Sequence, residues 1–96
     1  MIRFIEWDPA KAESNYRKHG VRFEVAARAF DDPLAVSTQD RFENGEVRWQ
    51  TLGRVEGLVL LLIAHTARDE EDGAKVIRII LARRAAKQEK QRYEND

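Results

Sequence analysis

The sequence predicts an α+β domain with the order β-α-α-β-β-β-β-α, in which helices cover one face of an antiparallel sheet. Three observations carry this prediction. Apolar residues before Pro33 recur at helical spacing, those after it alternate with a period of two, and residues 83–94 return to strong helix formers. Because the chain has 96 residues, 43% of them hydrophobic, we expect one domain over residues 1–96 with a single core.

The predicted front of the domain consists of one strand and two helices. Residues 2–7, IRFIEW, are β-branched and aromatic, as is typical of a strand. In the first helix Asp8 suits the N-cap, Pro9 the first helical position, and Gly20 the left-handed residue after the end. The second helix, FEVAARAF, has apolar residues at i, i+3, i+4 and i+7 and ends at the DDP of residues 31–33.

The predicted sheet follows from the period of two. It comprises four segments, residues 34–40, 47–55, 58–67 and 75–82. The turn signals ENGE and EG between them make neighbouring strands antiparallel. The run LVLLLIA is apolar on both faces, so the strand that contains it is expected at the centre of the sheet.

Composition restricts the class of protein. The absence of cysteine excludes a disulfide scaffold and thiolate chemistry, and it fits a reducing compartment. The start MIRFIEWDP lacks the regions of a signal peptide, and the longest apolar run is too short for a membrane span. We therefore expect a soluble, cytoplasmic domain. No glycine-rich phosphate loop, HExxH motif or clustered acidic metal site occurs, so no cofactor or metal is expected.

Acidic and basic residues are unevenly distributed along the chain. Lys+Arg and Asp+Glu both number 17, which gives no overall attraction to nucleic acid. The segment from Lys75 to Arg92, however, contains seven basic residues and a single acidic one. The four acidic residues DEED, at 69–72, come shortly before this segment. The sequence alone therefore predicts a small domain with a basic C-terminal flank.

Two histidines are candidates for proton transfer. His19, between Lys18 and Gly20, fits the cationic end of a helix first and a phosphate ligand second. His65, near the end of the most apolar strand, is the better candidate for a general base or acid. A histidine satisfied by hydrogen bonds beneath the following loop is an equally good interpretation of His65.

Arginines supply the candidate phosphate ligands. Arg48 and Arg54 lie six residues apart on one predicted strand and so share a face, which Arg78 could extend from a neighbouring strand. Arg83 and Arg84 lie where a strand meets the last helix. A guanidinium there can clamp a phosphate, although a solvated surface pair is the commoner arrangement.

The chain resembles the BrnT family of toxins from bacterial type II toxin–antitoxin systems in four blocks that occur in order, FIEWDPAKAESNYRKHGVRFEVAARAFDDP, GEVRWQTLGR, AHTAR and RIILARRAAKQEKQRYE. The resemblance covers nearly the whole chain and implies a RelE/ParE-like fold. It implies a ribonuclease that inhibits translation by cutting RNA. It also implies a cognate BrnA-type antitoxin as the protein partner, through which alone the complex would bind operator DNA.

Site residues follow from these motif blocks. RNA can be cut without a metal ion because its own 2′-hydroxyl attacks the adjacent phosphate, so we expect a metal-independent endoribonuclease. His65 is the expected base or acid, with Arg54 and Arg83 stabilising charge on the phosphoryl oxygens. Removal of His65 would then cost roughly a hundred-fold in cleavage. The expected substrate-binding residues are Arg48, Arg84, Lys18 and His19.

Two alternatives of other classes remain open. ParE-like relatives of this fold inhibit a topoisomerase and need no nuclease site, and fold alone does not separate the two activities. An inactive toxin could also be retained as a corepressor with its antitoxin. The zero net charge supports this second alternative, because a free ribonuclease gains from a basic surface.

Overall fold

The computed structural model describes residues 3–95, which form five strands and three helices. The strands are β1 (Arg3–Trp7), β2 (Val36–Glu43), β3 (Glu46–Val55), β4 (Val59–Asp69) and β5 (Lys75–Arg84). The helices are α1 (Pro9–His19), α2 (Phe23–Ala26), which continues as a 3₁₀ turn (Ala27–Asp31), and α3 (Lys87–Asn95). The predicted order of strands and helices is confirmed.

The sheet is mixed, which corrects the prediction of an antiparallel sheet. Its strand order is β1-β5-β4-β3-β2, and strands β2 to β5 pair antiparallel as expected. The turns at Asn44–Gly45 and Glu56–Gly57 have positive φ at both residues, as tight type I′ hairpins require. In contrast, β1 pairs parallel with β5. Two helices and three strands separate these partners in the chain, so no tight turn dictates their relative direction.

Helices lie on both faces of the sheet, whereas the sequence predicted one. On the first, the α1–α2 face, the main core contains Phe23, Ala26, Ala29, Leu61, Ile63, Ile79 and Ala82. On the second, the α3 face, Leu52, Leu60 and Leu62 pack with Leu81, Ala85 and Tyr93. The physical reason is the LVLLLIA run of β4, which presents leucines to both faces and needs a cover on each.

Gly53 allows the front of the domain to pack directly on β3. A Cβ atom at this position would overlap the carbonyl oxygen of Ala29 in the 3₁₀ turn. Ala29 itself is fully buried, so neither segment can move apart without opening the core.

One polar side chain closes the edge of β5. Strand β1 pairs with β5 only as far as Ile79, and α1 lies beside the remainder. There the buried Asn15 donates to the carbonyl of Ala82 at 2.8 Å and accepts from the Ala82 N–H at 3.1 Å. Its amide also donates to the carbonyl of Val21 at 3.0 Å. Asn15 thus replaces the missing strand and satisfies backbone groups that would otherwise be buried without partners.

Asp32 has the same function at the opposite edge of the sheet, just before β2 begins at Val36, opposite Leu52. Its Oδ2 accepts from the Arg54 N–H at 2.8 Å and from the Tyr93 hydroxyl at 2.6 Å, and its Oδ1 accepts from the Leu34 N–H at 2.9 Å. Burial raises the pKa of Asp32, but these hydrogen bonds outweigh it and hold the pKa below its usual value. One ionised carboxylate therefore joins the loop before β2 to β3 and α3.

Replacing Asn15 tests the closure of the β5 edge. Asn15→Ala leaves the N–H and carbonyl of Ala82 unpaired in a buried position, and we expect a loss of about 2 kcal/mol or more in the free energy of unfolding. Urea unfolding followed by tryptophan fluorescence measures this. The control is Ser14→Ala at the exposed neighbouring position, expected to change stability by less than about 0.5 kcal/mol. Equal stability of the two variants would contradict the assigned role.

Candidate functional site

The α3 face of the sheet is only partly covered. Helix α3 packs over its leucine end, around Leu52 and Leu60. At the other end a row of residues in register crosses all five strands; in the order β1, β5, β4, β3 and β2 it contains Glu6, Arg78, Thr66, Arg48 and Arg41. We call these residues the polar row.

Two bulges place arginines in the polar row. Ile80 is an extra residue in β5, because Leu81 pairs with Ala64 whereas Ile79 pairs with His65. The side-chain alternation is therefore reversed there, and Arg78 faces the same side as Leu81. The register shift at Asp40 in β2 likewise brings Arg41 opposite Arg48. Neither bulge can be predicted from the sequence, because the alternation of side chains along a strand gives no sign of an extra residue.

Helix α1 adds lysines along one border of the polar row. A depression of about 170 Å³ is lined by Lys11, Glu46, Arg48, Thr66, Arg78 and Ile80. A second depression of about 170 Å³ is lined by Lys11, Ser14, Asn15, Lys18, His19, Ile80 and Leu81. The two depressions are neighbours, because both are lined by Lys11 and Ile80. We call the basic residues along them, Arg48, Arg78, Lys11 and Lys18, the cationic track.

Carboxylates compensate only part of this positive charge. Glu6 lies 3.6 Å from Arg78, and Glu43 lies 3.9 Å from Arg48. The Arg48 side chain is 19% exposed, and its buried Nε has no hydrogen-bond partner among the described residues. A buried guanidinium N–H without an acceptor is uncommon in native proteins, but Nε and Nη2 of Arg92 share this feature, so it does not single out Arg48 as a ligand position.

Arg54 and Arg83 lie on the same face as Arg48 but hold α3 in place. Both Nη atoms of Arg83 donate to the Glu89 carboxylate at 2.8 Å, and this pairing lowers the pKa of Glu89. The Arg54 guanidinium stacks on the Tyr93 ring at 5.3 Å and donates to the carbonyl of Leu58 at 3.0 Å. Arg48 and Arg54 thus lie on the same face of the sheet, as predicted. Only Arg48, however, lies on the part of that face that α3 leaves uncovered.

His65 lies on the opposite face, which corrects the expectation that it forms one site with Arg54 and Arg83. Its side chain is buried, with the residue 5% exposed, and the Phe30 ring packs edge-on at 4.9 Å. Its Nε2 lies 2.7 Å from Thr51 Oγ1, and its Nδ1 lies 3.3 Å from the carbonyl of Thr66. Burial lowers its pKa. The imidazole is a satisfied part of the core.

The remaining expected site residues divide between the two faces. Lys18 and His19 line the second depression, where Lys18 is part of the cationic track and His19 lies beside it. Arg84 is exposed beside a separate groove formed with Tyr16 and Val21, away from the track. Sequence reasoning missed Lys11. Its spacing of seven residues from Lys18, about two helical turns, was a signal, but which surface that stripe borders depends on how α1 docks.

No three His, Asp or Glu side chains within residues 3–95 come close enough together to hold a metal ion. Within the same range, no helix is long and apolar enough to cross a membrane.

Comparisons with known proteins extend the description of the fold. Residues 7–89 match the family described as the ribonuclease toxin BrnT of type II toxin–antitoxin systems. The crystal structure of the Brucella abortus ribonuclease toxin BrnT superposes with a TM-score of 0.66 at 20% sequence identity, covering 91% of this chain and 100% of that one. At this identity the likeness supports the fold alone. No curated protein sequence matches the chain.

The burial of His65 makes the free energy of unfolding depend on pH. Because its folded pKa lies below the ordinary value of 6.5, only the unfolded chain gains a proton when the pH first falls below about 6.5. This contribution to stability is complete above that pH. It declines below it by up to about 1.4 kcal/mol per pH unit until the folded pKa is reached.

Urea unfolding at about pH 7.5 and about pH 5.5 tests this dependence. His65→Gln keeps a polar group near Thr51 and should lose less stability on acidification than the wild-type protein. An unchanged pH dependence in His65→Gln would show that the imidazole does not titrate as described.

Proposed function

Because the chain belongs to the BrnT family of type II ribonuclease toxins, we propose that it binds RNA along the cationic track and cuts it there without a metal ion, thereby inhibiting translation. The observation that carries this proposal is the polar row. Arg48 and Arg78 flank Thr66 in register on the part of the sheet that α3 leaves open. Guanidinium groups so arranged can bind the oxygens of one phosphate.

The first depression contains the groups that such a reaction needs. Attack by a 2′-hydroxyl requires a base, an acid for the leaving oxygen, and stabilisation of charge on the phosphoryl oxygens. In our proposal the Glu46 carboxylate takes the proton of the 2′-hydroxyl, and the Lys11 ammonium gives a proton to the departing 5′-oxygen. Arg48 and Arg78 neutralise the phosphoryl oxygens. The products are a 2′,3′-cyclic phosphate and a 5′-hydroxyl.

The other expected residues take supporting roles in this proposal. Lys18 and His19 bind the RNA backbone beyond the cut, along the second depression. Arg54 and Arg83 act indirectly, because they hold α3 at the end of the open face. His65 is not the acid or base, since its imidazole is enclosed on the opposite face.

The partner follows from the type of system. A type II toxin has a protein antitoxin, and we propose a BrnA-type antitoxin that neutralises the chain by covering the cationic track. An acidic segment would suit this surface, because it competes with RNA phosphates for the same guanidinium and ammonium groups. Operator DNA would be contacted by the antitoxin part of the complex. The proposed place of action is the cytoplasm, where RNA substrates occur.

RNA cleavage by the purified chain in EDTA tests the proposal. We expect cutting of single-stranded RNA that the antitoxin abolishes. Arg48→Ala and Arg78→Ala should each lower kcat/KM by about a hundred-fold, the usual cost of losing one charge-stabilising donor. Arg28→Ala removes an exposed guanidinium paired with Glu56 and should leave cleavage unchanged. His65→Gln should also cut, in contrast to the expectation from the sequence.

Each other result has a defined meaning. Cutting only with added magnesium would contradict the metal-independent mechanism. Loss of cleavage in folded His65→Gln, with Arg48→Ala active, would contradict the placement of the site. A folded chain that cuts no RNA, with or without ribosomes, would favour a protein target or a corepressor role.

A further inference from the structure

An exposed aromatic side chain lies beside the polar row. Phe4 in β1 is 55% exposed and precedes Glu6 by two residues, so both project from the same side of the strand. Glu6 reaches Arg78 on the α3 face, whereas Ile5 and Trp7 pack against the main core on the opposite face. Phe4 therefore lies on the open α3 face.

The cross-strand partners of Phe4 form a second row next to the polar row. Phe4 pairs with Val76 on β5, and Val76 pairs with Arg68 on β4. Two residues along a strand separate the rows by roughly 7 Å. The Arg68 guanidinium also approaches Glu6, at 3.5 Å. An aromatic ring and the guanidinium groups of Arg68 and Arg78 thus occupy one small area of surface.

Packing does not account for this aromatic ring. A single exposed apolar residue is common on protein surfaces and by itself needs no explanation. Phe4, however, belongs to neither apolar cluster of the described chain, although its neighbour Val76 is buried. The informative feature is its combination with cationic groups. Proteins that bind single-stranded nucleic acid place aromatic rings, on which bases stack, beside a positively charged path for the backbone.

We infer that Phe4 is a base-stacking subsite, which receives the base of a nucleotide next to the phosphate bound by Arg48 and Arg78. This inference rests on the proposed function, because it assigns a further part of the same RNA site. The required ligand is single-stranded RNA, since the faces of bases in a duplex are already stacked. Stacking accepts any base, because every base has a π-face. The subsite therefore contributes affinity for unpaired RNA but little discrimination among the four bases.

A double-mutant cycle between protein and RNA tests the inference. Wild type and Phe4→Ala are compared on a cleaved RNA oligonucleotide and on copies with one abasic nucleotide at each position around the cut. We expect one abasic position to lower the wild-type kcat/KM about ten-fold, the size of one base–aromatic stack. Phe4→Ala should lose the same factor on intact RNA. On the RNA with that abasic position, the kcat/KM of Phe4→Ala should be no lower than that of the wild-type protein. If the ring and the base acted independently, the two losses in kcat/KM would multiply.

Matched variants separate stacking from folding. Phe4→Leu keeps an apolar side chain and should behave as Phe4→Ala, whereas Phe4→Tyr keeps the aromatic ring and should behave as wild type. Phe42→Ala removes another exposed phenylalanine, 71% exposed and paired with Val47 on the opposite face, and should leave cleavage unchanged. An effect of Phe42→Ala equal to that of Phe4→Ala would overturn the inference.

The outcomes also separate this inference from the proposed function. If the losses multiply at every abasic position, or Phe4→Leu equals wild type, while Arg48→Ala lowers cleavage, the Phe4 subsite is wrong and the proposed function stands. The same double-mutant cycle is also measured as the equilibrium binding of 2′-O-methyl RNA, which lacks the attacking 2′-hydroxyl. The binding measurement therefore gives a result even if the protein does not cut RNA. If the wild-type chain neither cuts RNA nor binds this RNA, both proposals are overturned.

Discussion

The pairing of the Asn15 side chain with the backbone of Ala82 is the interaction on which the remainder of the structure depends. Strand β1 has 5 residues and β5 has 10, so half of β5 has no strand on its outer side. A buried backbone group without a partner costs about 1–3 kcal/mol. Asn15 satisfies both groups of Ala82 and thereby fixes α1 beside the sheet. Asp32 closes the β3 edge and, through Tyr93, also restrains α3.

The position of α1 has a direct consequence for the candidate site. A helix that packs at the edge of a sheet can cover the core on one face with one row of its side chains. A second row of side chains can then lie along the border of the opposite face. In α1, Ala12 packs towards the main core, while Lys11 and Lys18 line the two depressions on the open side. The same docking therefore stabilises the domain and supplies half of the cationic track. Helix α3, tied to the sheet by Arg54, Arg83 and Asp32, completes the α3-face core and leaves the polar row uncovered.

Net charge is a poor guide to this surface. The four acids of DEED lie at the tip of the β4–β5 hairpin, where Glu70 pairs with Arg68 at 3.1 Å and Asp69 lies 3.5 Å from Lys75. Such exposed pairs contribute little stability, but they keep acidic charge at one end of the molecule. The zero total thus includes four acidic residues that are concentrated at this tip. The local charge that RNA phosphates would meet on the open face is mainly positive.

The sequence by itself determined the order of strands and helices, both tight hairpins, and the shared face of Arg48 and Arg54. These features follow from local signals, namely caps, turn residues and a period of two, which act within a few residues. Only the tertiary structure decided the parallel pairing of β1 and the cover on both faces. It also decided the bulge at Ile80 that aligns Arg78 with Arg48, and the burial of His65 beneath Phe30. These depend on contacts between segments that are distant in the chain, so no local pattern encodes them.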